Sequence, residues 1–279
     1  MSAPTLNELT RHAATIPSLP EVINYLMRTL SDERADVDTL AQHINSDPAI
    51  VGRLLAAANS AASGLSSPVF SAKQAFLVLG ADRVVKIILA SALAYRYDIR
   101  GIGFDARMLW RHSIGVATCA QTLAEHHGQI STEIAFTSGL LHDIGQMLMY
   151  VGSPTEYLQV LKTHQDEDLP LIECERTVFG FDHANAGEAL ARTWKLPEGI
   201  CEAIGAHHEP DGIGSDIGNL VHASEVLSHA LDLGEQSNNR VPELSDLACA
   251  ELGLSWSKIA GHFGEIEARY QGFRSALGI

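Results

Sequence analysis

The chain has 279 residues, of which 46% are hydrophobic and 19% charged, enough apolar content to bury a core and too much for a disordered or fibrous chain. The formal charge is −15; residues 1–100 balance nine Lys and Arg against nine Asp and Glu, so the excess lies beyond them and disfavours nucleic-acid backbones. Four scattered cysteines (Cys119, Cys174, Cys201, Cys249) contain no C-x-x-C pair, which excludes a zinc ribbon or disulfide framework and suits a reducing compartment.

The N-terminal run MSAPTLNELTRHAATIP has no apolar signal core, and the apolar stretch Val84–Ala94 is too short to span a bilayer and carries Lys86. The expectation is a soluble, cytoplasmic protein without membrane contact. Nearly every segment has a helical period, and no convincing run of alternating β-branched residues is found, so the expected fold class is all-α. Pro20–Leu30 and Val37–Ile44 read as short amphipathic helices. Asp47-Pro48 is a start signal for a helix over Ala49–Ala62, with Asp as N-cap and Pro at the first position. Leu40–Ala61 also has helix-turn-helix spacing, but only Arg53 and Asn59 offer base-reading groups in neutral surroundings, so DNA binding is a minor alternative. Ser71–Leu79 and Asp82–Tyr97 are expected as helices meeting at Gly80.

Asp98–Asp105 breaks the pattern at Gly101-Ile102-Gly103, and a domain boundary is placed there. Helices are then expected over Ala106–His127, Ser131–Val151, Thr155–Gln165 and Leu171–Val178. The next runs from Asp182-His183 to about Trp194-Lys195, and another opens at Pro197 and reaches His207-His208. Ile217–Leu233 follows, then a polar linker at Glu235–Asn239. Leu244–Leu252 and Trp256–Leu277 close the chain, with an amphipathic stretch at Ser257–Phe273. The expected organisation is an N-terminal helical subdomain (1–100), a helical metal-site domain (101–235) and a C-terminal helical extension packing on the core (236–279).

The chemistry gathers at Ser138-Gly139-Leu140-Leu141-His142-Asp143-Ile144-Gly145. A carboxylate buried among leucines needs compensation, either by a hydrogen bond from the neighbouring histidine or by a metal ion. Further along stand His112, His183, His207 and His208, each in or at the end of a different expected helix, so a bundle could bring them to one centre. The remaining histidines, including His126, His222, His229 and His262, read as surface or packing residues.

The order H…HD…H…HH resembles the HD superfamily of metal-dependent phosphohydrolases. The whole set of motifs more closely resembles the HDOD family, the HD-related output domains of bacterial signalling proteins. It comprises IPSLPEV (Ile16–Val22), SDPAIVGRLLAAANSA (Ser46–Ala61), LWRHS (Leu109–Ser113), GLLHDIG (Gly139–Gly145), FGFDHANAG (Phe179–Gly187) and AHHEP (Ala206–Pro210). The resemblance implies a helical bundle of the HD type holding one or two divalent ions (Fe, Mn or Zn). His112, His142 and Asp143 would bind one, and Asp143 would bridge to a second held by His183, His207 and His208. The closing acid of the family's V-H-x-x-D pattern is Glu225 here, in Val221-His222-Ala223-Ser224-Glu225. In a hydrolase, Asp143 would hold the attacking hydroxide between the cations.

Other positions depart from the phosphodiesterase pattern. The lysine that follows HDIG in the HD-GYP enzymes is Gln146, their G-Y-P region reads Met147–Pro154, and a glutamate some of them place before the first histidine is Met108. A cyclic dinucleotide phosphodiesterase is therefore disfavoured. The resemblance implies a regulatory protein acting through signalling partners, with input from another protein or a ligand. The alternative is a metal-dependent phosphohydrolase of nucleotides or phosphodiesters, with Arg111 and Lys195 as the basic residues nearest in sequence for a phosphorylated ligand. Oligomeric state is left open.

Overall fold

A computed structural model describes residues 4–12, 57–58, 72–96, 100–101, 104–193, 198–210, 215–234 and 241–277. The helices expected over Pro20–Leu30, Val37–Ile44 and Ala49–Ala62, the Leu40–Ala61 helix-turn-helix, the first two family motifs, Lys195 and the Glu235–Asn239 linker lie outside these, save Ala57 and Ala58, which are helical and buried. The chain divides into two compact units, residues 1–18 with 99–267, and residues 19–98 with 268–279. No helix among the described residues is long and apolar enough to cross a membrane.

In the second unit, Ala72–Arg96 (α2) is interrupted at Gly80, whose φ of 76° and ψ of 157° no L residue adopts without strain. Two helices joined at that glycine are what the sequence predicts. In the first unit, Leu6–His12 forms α1. Arg100–Gly101 (β1) pairs antiparallel with Phe104–Asp105 (β2), a two-residue pairing within the expected break. Every other regular element among the described residues is a helix: the fold is all-α.

Ala106–His127 (α3) has the predicted bounds. The single helix expected over Ser131–Val151 is two, Thr132–Leu141 (α4) and Ile144–Gly152 (α5), with Ser131 capping the first by accepting from Ile134 N–H. The break falls at Asp143, whose φ of −96° and ψ of 9° lie in the bridge region. Consecutive side chains of an unbroken helix point about 100° apart. The break lets His142 and Asp143 face one centre.

Pro154–Glu167 (α6), Leu171–Phe179 (α7), His183–Thr193 (α8), Glu198–Ala206 (α9) and Asp216–Ala230 (α10) follow. The C-terminal stretch is Asp246–Glu251 (α11), Trp256–Ala260 (α12) and Phe263–Leu277 (α13). The continuous helix expected there is broken at Gly261-His262, where Gly261 N–H and His262 N–H reach back three residues to Lys258 O and Ile259 O. Such tight turns end a helix.

The centre of the first unit is α10, buried along Gly218–Ser228. It packs on α3, α4 and α9, and α8 packs on α5 and α9. Val116, Ala203 and Val221 form part of the core, with Ile217 at its margin. Two glycines set the closest approaches. A Cβ at Gly139 would lie 2.9 Å from Ala117 Cα, and one at Gly145 only 1.8 Å from His183 O. Helices α4 and α3, and α5 and α8, therefore meet backbone to backbone.

Candidate metal centre

Each histidine in the central cluster is fixed by its element. His112 lies in the second turn of α3, and His142 and Asp143 at the α4–α5 break. His183 opens α8 behind a reciprocal cap, in which Asp182 Oδ1 accepts from Asn185 N–H and Asn185 Oδ1 from Asp182 N–H. His207 and His208 occupy the turn after α9, and Glu225 the middle of α10. All are buried except His208, which is half-buried.

The two oxygens of Asp143 face different partners. Oδ2 lies 3.4 Å from His142 Nε2 and 3.8 Å from His112 Nε2. Oδ1 lies 3.0 Å from His183 Nε2 and 3.8 Å from His207 Nε2. His208 Nε2 stands 2.8 Å from His183 Nε2. On the first side Glu225 Oε2 approaches His112 Nε2 at 2.8 Å and His142 Nε2 at 3.0 Å. The other six residues singled out in the sequence thus gather around Asp143 or its immediate histidine neighbours, in groups that could hold a metal ion.

The donor chemistry fits a cation. His142 Nδ1–H donates to Gly139 O at 2.8 Å, and His207 Nδ1–H donates to Ile204 O at 2.7 Å. A carbonyl only accepts, so each Nδ1 carries the proton and each Nε2 turns to the centre. Both Nε2 atoms are buried and neither makes a well-directed hydrogen bond, although Glu225 Oε2 stands 3.0 Å from that of His142. Such orphaned nitrogens are costly unless an ion or proton meets them. Without metal, burial opposes a charged His142, but Asp143 and Glu225 outweigh it and push its pKa up to about 10. His183 is likewise raised against burial by Glu175 and Asp143. Burial, with the neighbouring His142 and His183, lowers His207 to about 3. Burial opposes ionisation of Asp143 and Glu225 too, yet the facing histidines hold both carboxyls well below the usual range. The metal-free centre keeps protons where cations would otherwise balance its carboxylates.

The surroundings contain residues that sequence reasoning missed. Glu175, fully buried on α7, accepts from His183 Nδ1–H at 2.6 Å and from Tyr157 O–H at 3.0 Å. A carboxylate behind a ligating imidazole fixes its tautomer and makes its other nitrogen a better donor. His229, assigned to surface or packing, holds Glu225 Oε1 at 3.0 Å, one helical turn on. His222 does pack: it is buried, donates from Nδ1 to His207 O and accepts at Nε2 from Ser245 N–H. Arg176 pairs with Asp182 and Glu209, linking the start of α8 to the His207-His208 turn. Arg111, the basic residue nearest in sequence to His112, is half-buried.

A family model for the HDOD domain matches residues 16–210. The chain belongs to the HDOD family. It resembles in fold the crystal structure of an HDOD domain protein of unknown function from Geobacter sulfurreducens, at a TM-score of 0.76 and 23% identity, covering 96% of this chain and 97% of that one. An uncharacterized protein of Treponema pallidum (strain Nichols) is 26% identical over 211 residues, 75% of this HDOD chain and 39% of the relative. A ribonuclease Y of Thermus thermophilus is 32% identical over 120 residues, 43% of this chain and 16% of that enzyme. The HDOD chain therefore spans well under half the length of these curated relatives.

Proposed function

We propose that this HDOD protein holds one or two divalent ions (Fe, Mn or Zn) on His112, His142, Asp143, His183, His207, His208 and Glu225, and uses that centre to report a state to protein partners in bacterial signalling. The observation that carries the metal reading is the division of Asp143, with Oδ2 turned to His112 and His142 and Oδ1 to His183 and His207. Glu175 supports it by holding the Nδ1 proton of His183 and keeping Nε2 directed at the centre.

Burial favours a regulatory role. Asp143 is 5% exposed and His142 and His207 are 0% exposed, so an ion fits where a nucleotide's reacting phosphate would need an opening. Gln146 takes the place of the phosphate-holding lysine, and Arg176 is committed to Asp182 and Glu209. The second reading is a metal-dependent phosphohydrolase, favoured by the 32% identity to ribonuclease Y over 120 residues. When bound, a divalent ion would polarise a phosphoryl oxygen as a Lewis acid. Asp143 would then orient both halves of the centre.

Metal analysis of protein purified without chelators, followed by a phosphodiester screen with Mn or Fe supplied, tests both readings. One or two equivalents and no turnover support the regulatory role. Turnover lost on His142→Ala establishes the hydrolase. Protein that refuses metal on titration removes the centre from both.

A further inference from the structure

Three side chains outside the central cluster have their own convergence. His126, near the C-terminal end of α3, and His262, at the break before α13, stack with ring centroids 3.6 Å apart and planes 17° from parallel. Glu265 completes the group. Its Oε2 lies 3.0 Å from His126 Nε2 and 4.0 Å from His262 Nδ1. One carboxylate oxygen thus faces a ring nitrogen of each histidine.

We infer that His126, His262 and Glu265 form a second, surface site for a borderline-soft divalent transition metal of the zinc class. Imidazole and carboxylate are the ligand types such ions take, and three protein ligands leave a fourth position for water or an outside donor. The ligand atoms of the three residues all lie within 4.8 Å of one another, compact enough for a single ion. The i,i+3 spacing of His262 and Glu265 puts both on one side of the start of α13, and His126 closes the site from α3.

The site is independent of the Asp143 centre and differs in exposure. The His126, His262 and Glu265 side chains are 45%, 23% and 38% exposed, whereas those of the central ligands His142 and His207 are 0% exposed. An ion here exchanges readily with solvent and binds more weakly than one enclosed at Asp143. Its mechanical effect is a clip between the end of α3 and the break at Gly261-His262.

The test is a zinc titration of the whole chain by calorimetry, comparing wild type with His126→Asn, His262→Asn and Glu265→Gln, and with His164→Asn as a control. The expected result is one weak equivalent in wild type and the control, weakened roughly 10- to 100-fold in the three variants, while tight equivalents are unchanged. Imidazole NMR on wild type gives a readout that needs no variant: the His126 and His262 ring signals should shift together as the weak equivalent fills. A weak equivalent that survives the variants, or ring signals that stay fixed through the titration, overturns the inference.

Discussion

Glu175 Oε2 accepts twice from His183, from its ring Nδ1–H at 2.6 Å and from its backbone N–H at 2.9 Å. One buried carboxylate therefore fixes both the start of α8 and the direction of the imidazole. Glu175→Gln keeps an acceptor of similar size but removes the charge that makes His183 a strong donor. The expected outcome is retention of fold by circular dichroism and a loss of roughly 10- to 100-fold in affinity for the metal on the His183 side, measured by chelator competition.

Asp143→Ala removes the carboxylate that faces both groups of histidines. It should lower metal content in both halves, as measured by mass spectrometry of total metal. His164→Asn, on the exposed end of α6, should leave the content of the central site unchanged. Equal losses in the two variants would show that Asp143 has no special part in holding metal.

Metal binding should release protons. His142, raised to about 10 without metal, is protonated at neutral pH, and an incoming cation must displace that proton. Apparent affinity should therefore rise with pH from neutral through about 10. Calorimetry in two buffers of different ionisation enthalpy counts the protons. Linkage also sets the stability of the metal-free form. The raised His142 contributes stability that is full below its ordinary pKa and is lost as pH rises through about 10. The depressed Asp143 and Glu225 contribute stability that is lost as pH falls through their folded values. Melting of metal-free protein should peak between these limits.

Glu225 is longer than the aspartate of the family pattern, and His229 holds its free oxygen at 3.0 Å. His229→Ala should loosen metal binding when Glu225 is present and do much less in a Glu225→Asp background, where the shorter chain withdraws that oxygen. The coupling in metal affinity should fall within the range of about 0.5–3 kcal/mol found for residues in contact.

The sequence carried the helical class and the cluster because both are written in short patterns, a 3.6-residue period and H…HD…H…HH. It carried the break at Gly80 because a glycine between two apolar runs is a local signal. The break at Asp143 was hidden, since Leu140, Leu141, Ile144 and Met147 continue the period across it. Glu175 was hidden for another reason. In Ile172-Glu173-Cys174-Glu175-Arg176 it has the look of a charge on a solvated helix face, and only the approach of α8 and Tyr157 buries it. His126 and His262 are separated by most of the first unit, so no spacing rule joins them.

Contact at Gly145 gives the Asp143 centre a fixed aperture. The residue two places after Asp143 touches the carbonyl of His183 itself, so the gap between those two groups is set by atoms of the main chain. A swinging side chain cannot widen it. Gly145→Ala should cost about 1–3 kcal/mol or more by overpacking, and would push α8 outward along with its histidine. An oversized ion would meet the same obstacle from inside, and would have to move a helix to be admitted. Any discrimination by ionic radius at this centre would then depend on a residue that has no side chain and binds nothing.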